Sequence, residues 1–128
     1  MVNKLLLPQE IETFYLIPTM RRYIALFLKE QGMKQKDIAE LLGIKTATIS
    51  QYTSNKRGHR IEFNEKAVAE IRKSVSLLKD KLSYLRETQR LLQHFRETKV
   101  LCQIHHQFSD LPEHCEPQEI GCLTGGYK

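Results

Sequence analysis

The sequence predicts an all-α protein, and three observations carry that prediction. Apolar residues recur at steps of three and four along most of the chain. Pro8, Pro18, Gly32, Gly43 and Gly58 punctuate these stretches rather than interrupting them. Between Gly58 and Pro112 there is neither glycine nor proline, so nothing in that span breaks a helix.

The elements follow in order. Pro8 opens a short helix, Gln9 to Leu16, with Glu10 and Glu12 in its first turn. Pro18 restarts the chain, and Met20, Tyr23, Ile24, Phe27 and Leu28 mark the face of a second helix, Pro18 to Gln31, stopped by Gly32. Two short helices, Gln35 to Leu42 and Thr46 to Ser54, flank Gly43, and Asn55 to Gly58 reads as a loop. Ile61 and Phe63 alternate with polar residues, as in a short extended piece. Asn64 is an N-cap, with Phe63 and Val68 placed as a hydrophobic staple. A long helix from Glu65 to about Lys99 then carries the stripe Val68, Ile71, Val75, Leu78, Leu82, Leu85 and Leu92, interrupted only by Gln89.

Composition narrows the function. The chain has 128 residues, 41% hydrophobic and 27% charged, which suits one compact domain or a small domain with an extension. No apolar run nears the roughly 20 residues of a membrane span. Met1 to Leu7 is shorter than the apolar segment of about 7–15 residues in a secretion signal, so a cytoplasmic protein without a membrane partner is expected. The net charge of +5 favours an anionic partner. From Lys34 to Arg60 the bases are Lys34, Lys36, Lys45, Lys56, Arg57 and Arg60, against Asp37 and Glu40 alone. The Cys-His tail could pair a thiol nucleophile with a base, but there is no glycine-rich phosphate loop and no evident substrate cleft, and the chain reads as a non-enzyme.

The basic segment has the pattern of a helix-turn-helix. Two helices crossing steeply over a short turn need a small residue at the crossing, supplied by Ala39. They also need a residue that accepts positive φ, supplied by Gly43. Ile38, Leu42, Ile44 and Ile49 then share a core. The second helix keeps Thr46, Ala47, Thr48 and Gln51 outward, a short polar face suited to a major groove about 12 Å wide.

These residues resemble the helix-turn-helix of the Cro/lambda-repressor-like (Xre) family, from about Pro18 to Gly58. The match rests on Gln35, Ile38-Ala39, Leu42-Gly43-Ile44, Thr48-Ile49-Ser50 and the closing Tyr52 to Gly58. The resemblance implies that Gln35 begins the first helix of the motif and touches a phosphate. It places Thr46, Ala47, Thr48 and Gln51 at base edges, and Ser50 and Asn55 near the backbone of double-stranded DNA. Lys36, Lys45, Lys56 and Arg57 are expected on flanking phosphates. Lys45 departs from the family, which often has a capping Ser or Thr there; lysine cannot cap, so the helix starts at Thr46 or relies on water. The wider layout resembles a group of uncharacterised bacterial and archaeal regulators with a cysteine-containing tail.

The long helix cannot bury its stripe alone; it must pack on the N-terminal domain, on a second copy or on both, and a homodimer on two half-sites is expected. All three cysteines, Cys102, Cys115 and Cys122, fall after residue 100, with His94, His105, His106 and His114 near them. The C-x-x-H pair Cys102 and His105, joined by Cys115 and Cys122, makes a four-ligand set for zinc or an iron-sulfur cluster; a thiol redox switch and inert thiols are the alternatives. The chain thus divides into a DNA-binding domain (1–60), an amphipathic dimerisation helix (61–100) and a Cys/His-rich tail (101–128). The function expected is a dimeric, sequence-specific transcription regulator under metal or redox control. The alternative is an antitoxin-like interaction protein that grips a partner with its C-terminal half.

Overall fold

The computed structural model describes residues 5–54, 56–58, 60–111 and 121. Helix α1 spans Pro8–Ile11, a π-helical turn spans Glu12–Leu16, and α2 spans Ile17–Glu30. Then come α3 (Gln35–Leu42), α4 (Thr46–Thr53), α5 (Glu65–Val75), α6 (Lys81–Glu97) and α7 (Val100–Phe108). The fold is all-helical, with no strand among the described residues. Ile61 and Phe63 pass through irregular backbone and are both buried.

Pro18 does not restart the chain. The helix runs on from Pro8 to Glu30, and the π turn explains how. A proline ring has no N–H and crowds the carbonyl four residues back. Just before it, the Ile17 N–H donates to the Glu12 carbonyl, five residues back, so one extra residue widens the turn where the ring must fit. The Glu12 side chain is buried by this turn and meets Arg96 of α6 through two hydrogen bonds, Nε to Oε2 at 3.1 Å and Nη2 to Oε1 at 2.8 Å. The fork of the guanidinium matches both carboxylate oxygens and compensates a charge taken out of water.

The single helix expected from Glu65 to Lys99 is two helices. The chain turns between Val75 and Lys81 because Asp80 and Ser83 cap α6 reciprocally. Asp80 Oδ1 accepts from the Ser83 N–H at 2.8 Å, and Ser83 Oγ accepts from the Asp80 N–H at 3.0 Å. Helices α5 and α6 then lie antiparallel, as their cross-links show: Ser74 Oγ donates to Glu87 Oε1 at 2.9 Å, and Arg90 Nη1 donates to Glu70 Oε1 at 2.7 Å. Burial opposes the charge of Glu87, but the hydrogen bonds from Arg90 and Ser74 outweigh it and hold the carboxyl below the usual carboxylate range.

This turn divides the expected stripe. Ile71, Val75 and Leu92 are buried within the chain's own core, and Val68 and Leu78 are partly so. Leu82 and Leu85 are left 68% and 58% exposed, beside Leu77 at 45%.

The segment read as a Cys/His-rich tail begins as a helix. After a left-handed Lys99 (φ 66°), residues 100–108 form α7 and bury Val100, Leu101, Cys102, Ile104 and His105. The backbone of Leu6 is clamped against α7: its N–H donates to Ser109 Oγ at 2.8 Å, and its carbonyl accepts from His105 Nε2. One continuous cluster of buried apolar side chains, from Ile11 to Ile104, supports the helices of the described residues.

Candidate nucleic-acid interface

Helices α3 and α4 form the pair that the sequence predicts. Gly43 ends α3 in the left-handed region (φ 68°, ψ 32°), and the Ile44 N–H returns to the Ala39 carbonyl at 3.0 Å. Ile38, Ala39, Leu42 and Ile49 are buried together, with Ile44 partly covered. This core fixes α4 relative to α3 and sets which face of α4 points outward.

Helix α4 begins at Thr46. Lys45 occupies the N-cap position in extended conformation, with no side-chain cap, and its carbonyl accepts from the N–H groups of Thr48 (3.0 Å) and Ile49 (3.2 Å). The helix sorts its residues cleanly. Ile49 and Tyr52 are buried, Thr46, Ala47 and Ser50 are exposed, and Thr48 and Gln51 lie between. Lys36, Lys45, Lys56 and Arg57 are exposed at the two ends of this surface, with Gln35 half-exposed at the start of α3. Asn55 lies outside the described residues. The acids of the motif, Asp37 and Glu40, line a separate groove with Leu78, Lys79 and Lys81 at the α5–α6 turn.

The basic loop after α4 is held by its glycine. Gly58 is buried with φ +75°, and a Cβ there would lie 2.5 Å from the Pro18 carbonyl oxygen. Arg22 Nε donates to the Gly58 carbonyl at 3.1 Å. Lys56 and Arg57 are therefore displayed from a loop pinned against α2. Sequence reasoning did not find this contact, because Gly58 reads locally as an ordinary turn glycine and its partner lies 36 residues away.

Two further residues went unrecognised. Tyr52 reads as the end of the motif, yet it is nearly fully buried. Arg21 lines the same hollow as Tyr52, and its Nε donates to the Tyr84 hydroxyl at 3.5 Å. Burial works against the Arg21 cation, but the two tyrosine hydroxyls outweigh it and hold its pKa above the ordinary arginine value. This hydrogen bond ties α2 to α6.

Of the four expected ligands, only Cys102 and His105 fall among the described residues. Cys102 and His105 share α7 and are both buried. Cys115 and Cys122 lie outside the described residues. Among the described residues, no three His, Cys, Asp or Glu side chains gather as a metal site.

No helix among the described residues is long and apolar enough to cross a membrane. Residues 24–61, which run from α2 through α3, α4 and the pinned loop, match a helix-turn-helix family model. No curated protein and no solved structure matches the chain. Residues 24–61 thus carry a helix-turn-helix similar to those of the Cro/lambda-repressor (Xre) type, a match that supports a DNA-binding regulator.

Proposed function

We propose that the protein is a sequence-specific transcription regulator that lays α4 in the major groove as a homodimer. The observation that carries this reading is the outward face of α4. Thr46, Ala47, Thr48 and Gln51 form a small, mostly polar surface, with Ser50 exposed beside it, set between exposed cations and backed by a buried apolar core. Small polar side chains reach base edges, while Lys36, Lys45, Lys56 and Arg57 neutralise phosphates.

The dimer reading is supported by the exposed leucines. Leu77, Leu82 and Leu85 are exposed among the described residues, and a second copy would bury them. Sedimentation of wild type against a Leu82→Glu/Leu85→Glu double variant tests it: the wild type sediments as a dimer and the variant as a monomer. An antitoxin-like reading uses the same leucines for a different protein. A stoichiometric partner that co-purifies with wild type, but not with the variant, would favour it.

Metal or redox control at Cys102, His105, Cys115 and Cys122 rests on the sequence pattern. One geometric detail is compatible with it. Because Nε2–H of His105 donates to the Leu6 carbonyl, Nδ1 is the atom left for an ion, an arrangement common in metal-binding histidines. Elemental analysis and a visible spectrum of anaerobically purified protein separate zinc, iron with sulfide, and neither.

DNA binding itself is tested by titration at several salt concentrations. The log of the affinity should fall with the log of salt at about −0.9 per phosphate neutralised. Lys56→Ala should reduce that slope by about one and weaken all sequences alike. Gln51→Ala should lose about 1–3 kcal/mol at one base pair. An equal loss on random DNA for Gln51→Ala would contradict the base contact.

A further inference from the structure

A cavity of about 350 Å³ opens between the π turn, the start of α2 and the loop that follows α4. Its size lies within the range of small-molecule sites, about 300–1,000 Å³. Four cations line it, Arg21, Lys56, Arg57 and Arg60, and the described lining residues include no carboxylate. Folding therefore gathers four like charges around one partly apolar hollow, which costs free energy until an anion enters.

The charges are placed rather than loose. The Tyr84 hydroxyl accepts from Arg21 Nε at 3.5 Å. Arg60 lies over the Tyr15 ring at 5.0 Å, whose other neighbour is Phe108, stacked at 4.0 Å. Gly58, fixed on the Pro18 and Arg22 side, holds the loop that carries Lys56 and Arg57. Tyr15 is thus already committed, whereas Phe14 at the rim is 52% exposed and offers an uncommitted ring.

We propose that this cavity binds a small organic phosphate of nucleoside-monophosphate size, its phosphate held among Arg21, Lys56, Arg57 and Arg60 and its ring against Phe14. Lys56 and Arg57 also flank the DNA-facing surface of α4, so the ligand and a DNA backbone compete for them. That competition rests on the DNA-binding reading above; ligand binding does not. The site thereby gives the regulator an effector pocket inside the helix-turn-helix half of the chain.

The test is calorimetric titration of the full chain, without DNA and at low salt, using adenosine and guanosine monophosphates as probes. Their parent nucleosides and inorganic phosphate serve as comparators. At least one monophosphate is expected to saturate, about tenfold tighter than its nucleoside, because charge-assisted hydrogen bonds to the phosphate are lost in the latter. Arg60→Gln and the rim variant Phe14→Ala should each weaken it several-fold while keeping the wild-type melting transition. Adding the ligand should release bound DNA.

Three results overturn the proposal. One is no saturable binding by either monophosphate. Another is inorganic phosphate binding as tightly as the nucleotide, which removes the ring contact. The last is Arg60→Gln lowering DNA affinity while free phosphates do not bind, which makes the cavity a seat for the DNA backbone. Should Arg60→Gln melt early, Phe14→Ala decides alone, since its ring is half-exposed.

Discussion

Gly43 and Gly58 both adopt positive φ, and substitution should separate them sharply. At Gly43 a Cβ would meet nothing within 4 Å, so alanine suffers only the left-handed backbone penalty, about 1–2 kcal/mol. At Gly58 the same penalty applies, but the Cβ would sit 2.5 Å from the Pro18 carbonyl oxygen and 3.0 Å from Arg22 Cβ. The Pro18 oxygen belongs to helical backbone and cannot swing aside. Forcing that approach adds about 1–3 kcal/mol of overpacking, for a total of about 2–5 kcal/mol. For a domain of this size, 1 kcal/mol shifts the melting temperature by about 4 °C. Thermal unfolding followed by far-ultraviolet circular dichroism should thus show Gly43→Ala down by about 4–8 °C and Gly58→Ala by about 8–20 °C. Gly43→Asn should recover part of its loss, because asparagine tolerates the left-handed region. A Gly58→Ala protein melting beside Gly43→Ala would refute the claim that the basic loop is pinned on α2. The same variant should also loosen DNA, since Lys56 and Arg57 would lose their fixed position.

Other substitutions probe the rest of the frame. Arg96→Met leaves the buried Glu12 carboxylate without its partner and should destabilise by about 3 kcal/mol, read from urea unfolding; Glu12→Gln in the same background should recover much of it. Asn64→Ala removes the side chain that accepts from the Ala67 N–H at 2.8 Å and should lower stability by about 1 kcal/mol. Glu87 titrates below its unfolded value of about 4.3, so its stabilisation is complete above that pH and is lost as pH falls through the lower native value. The stability gap between wild type and Glu87→Gln should therefore be widest at neutral pH and close on acidification; a gap that widens in acid would reverse the assigned direction.

How much of this was legible in the sequence depends on the range of the interaction. The α3–α4 pair was, because Ala39, Gly43 and Ile49 answer to neighbours within a few residues. The N-cap Asn64 was also legible, for the same reason. The break between α5 and α6 was written locally too, as Asp80 and Ser83, but an uninterrupted apolar stripe outweighed a cap without glycine or proline. That stripe mixed two roles. Ile71, Val75 and Leu92 face the chain's own core, and Leu82 and Leu85 do not; a one-dimensional period cannot distinguish them. The π turn was hidden because Pro18 ordinarily ends a helix, and only the Ile17 to Glu12 hydrogen bond carries the helix past it. The cation cavity was invisible, since Phe14 and Arg21 join Lys56, Arg57 and Arg60 only after α2 and the loop fold together.

The central claim is that α4 reads bases. Repeated selection of duplexes from a random-sequence DNA pool, followed by sequencing, tests it most directly. Wild type should enrich a defined motif, repeated about one helical turn apart if two copies bind together. Gln51→Ala should lose preference at one position of that motif and leave the others. A pool that stays random with folded wild type, or a Gln51→Ala motif identical to the wild-type one, would contradict the account.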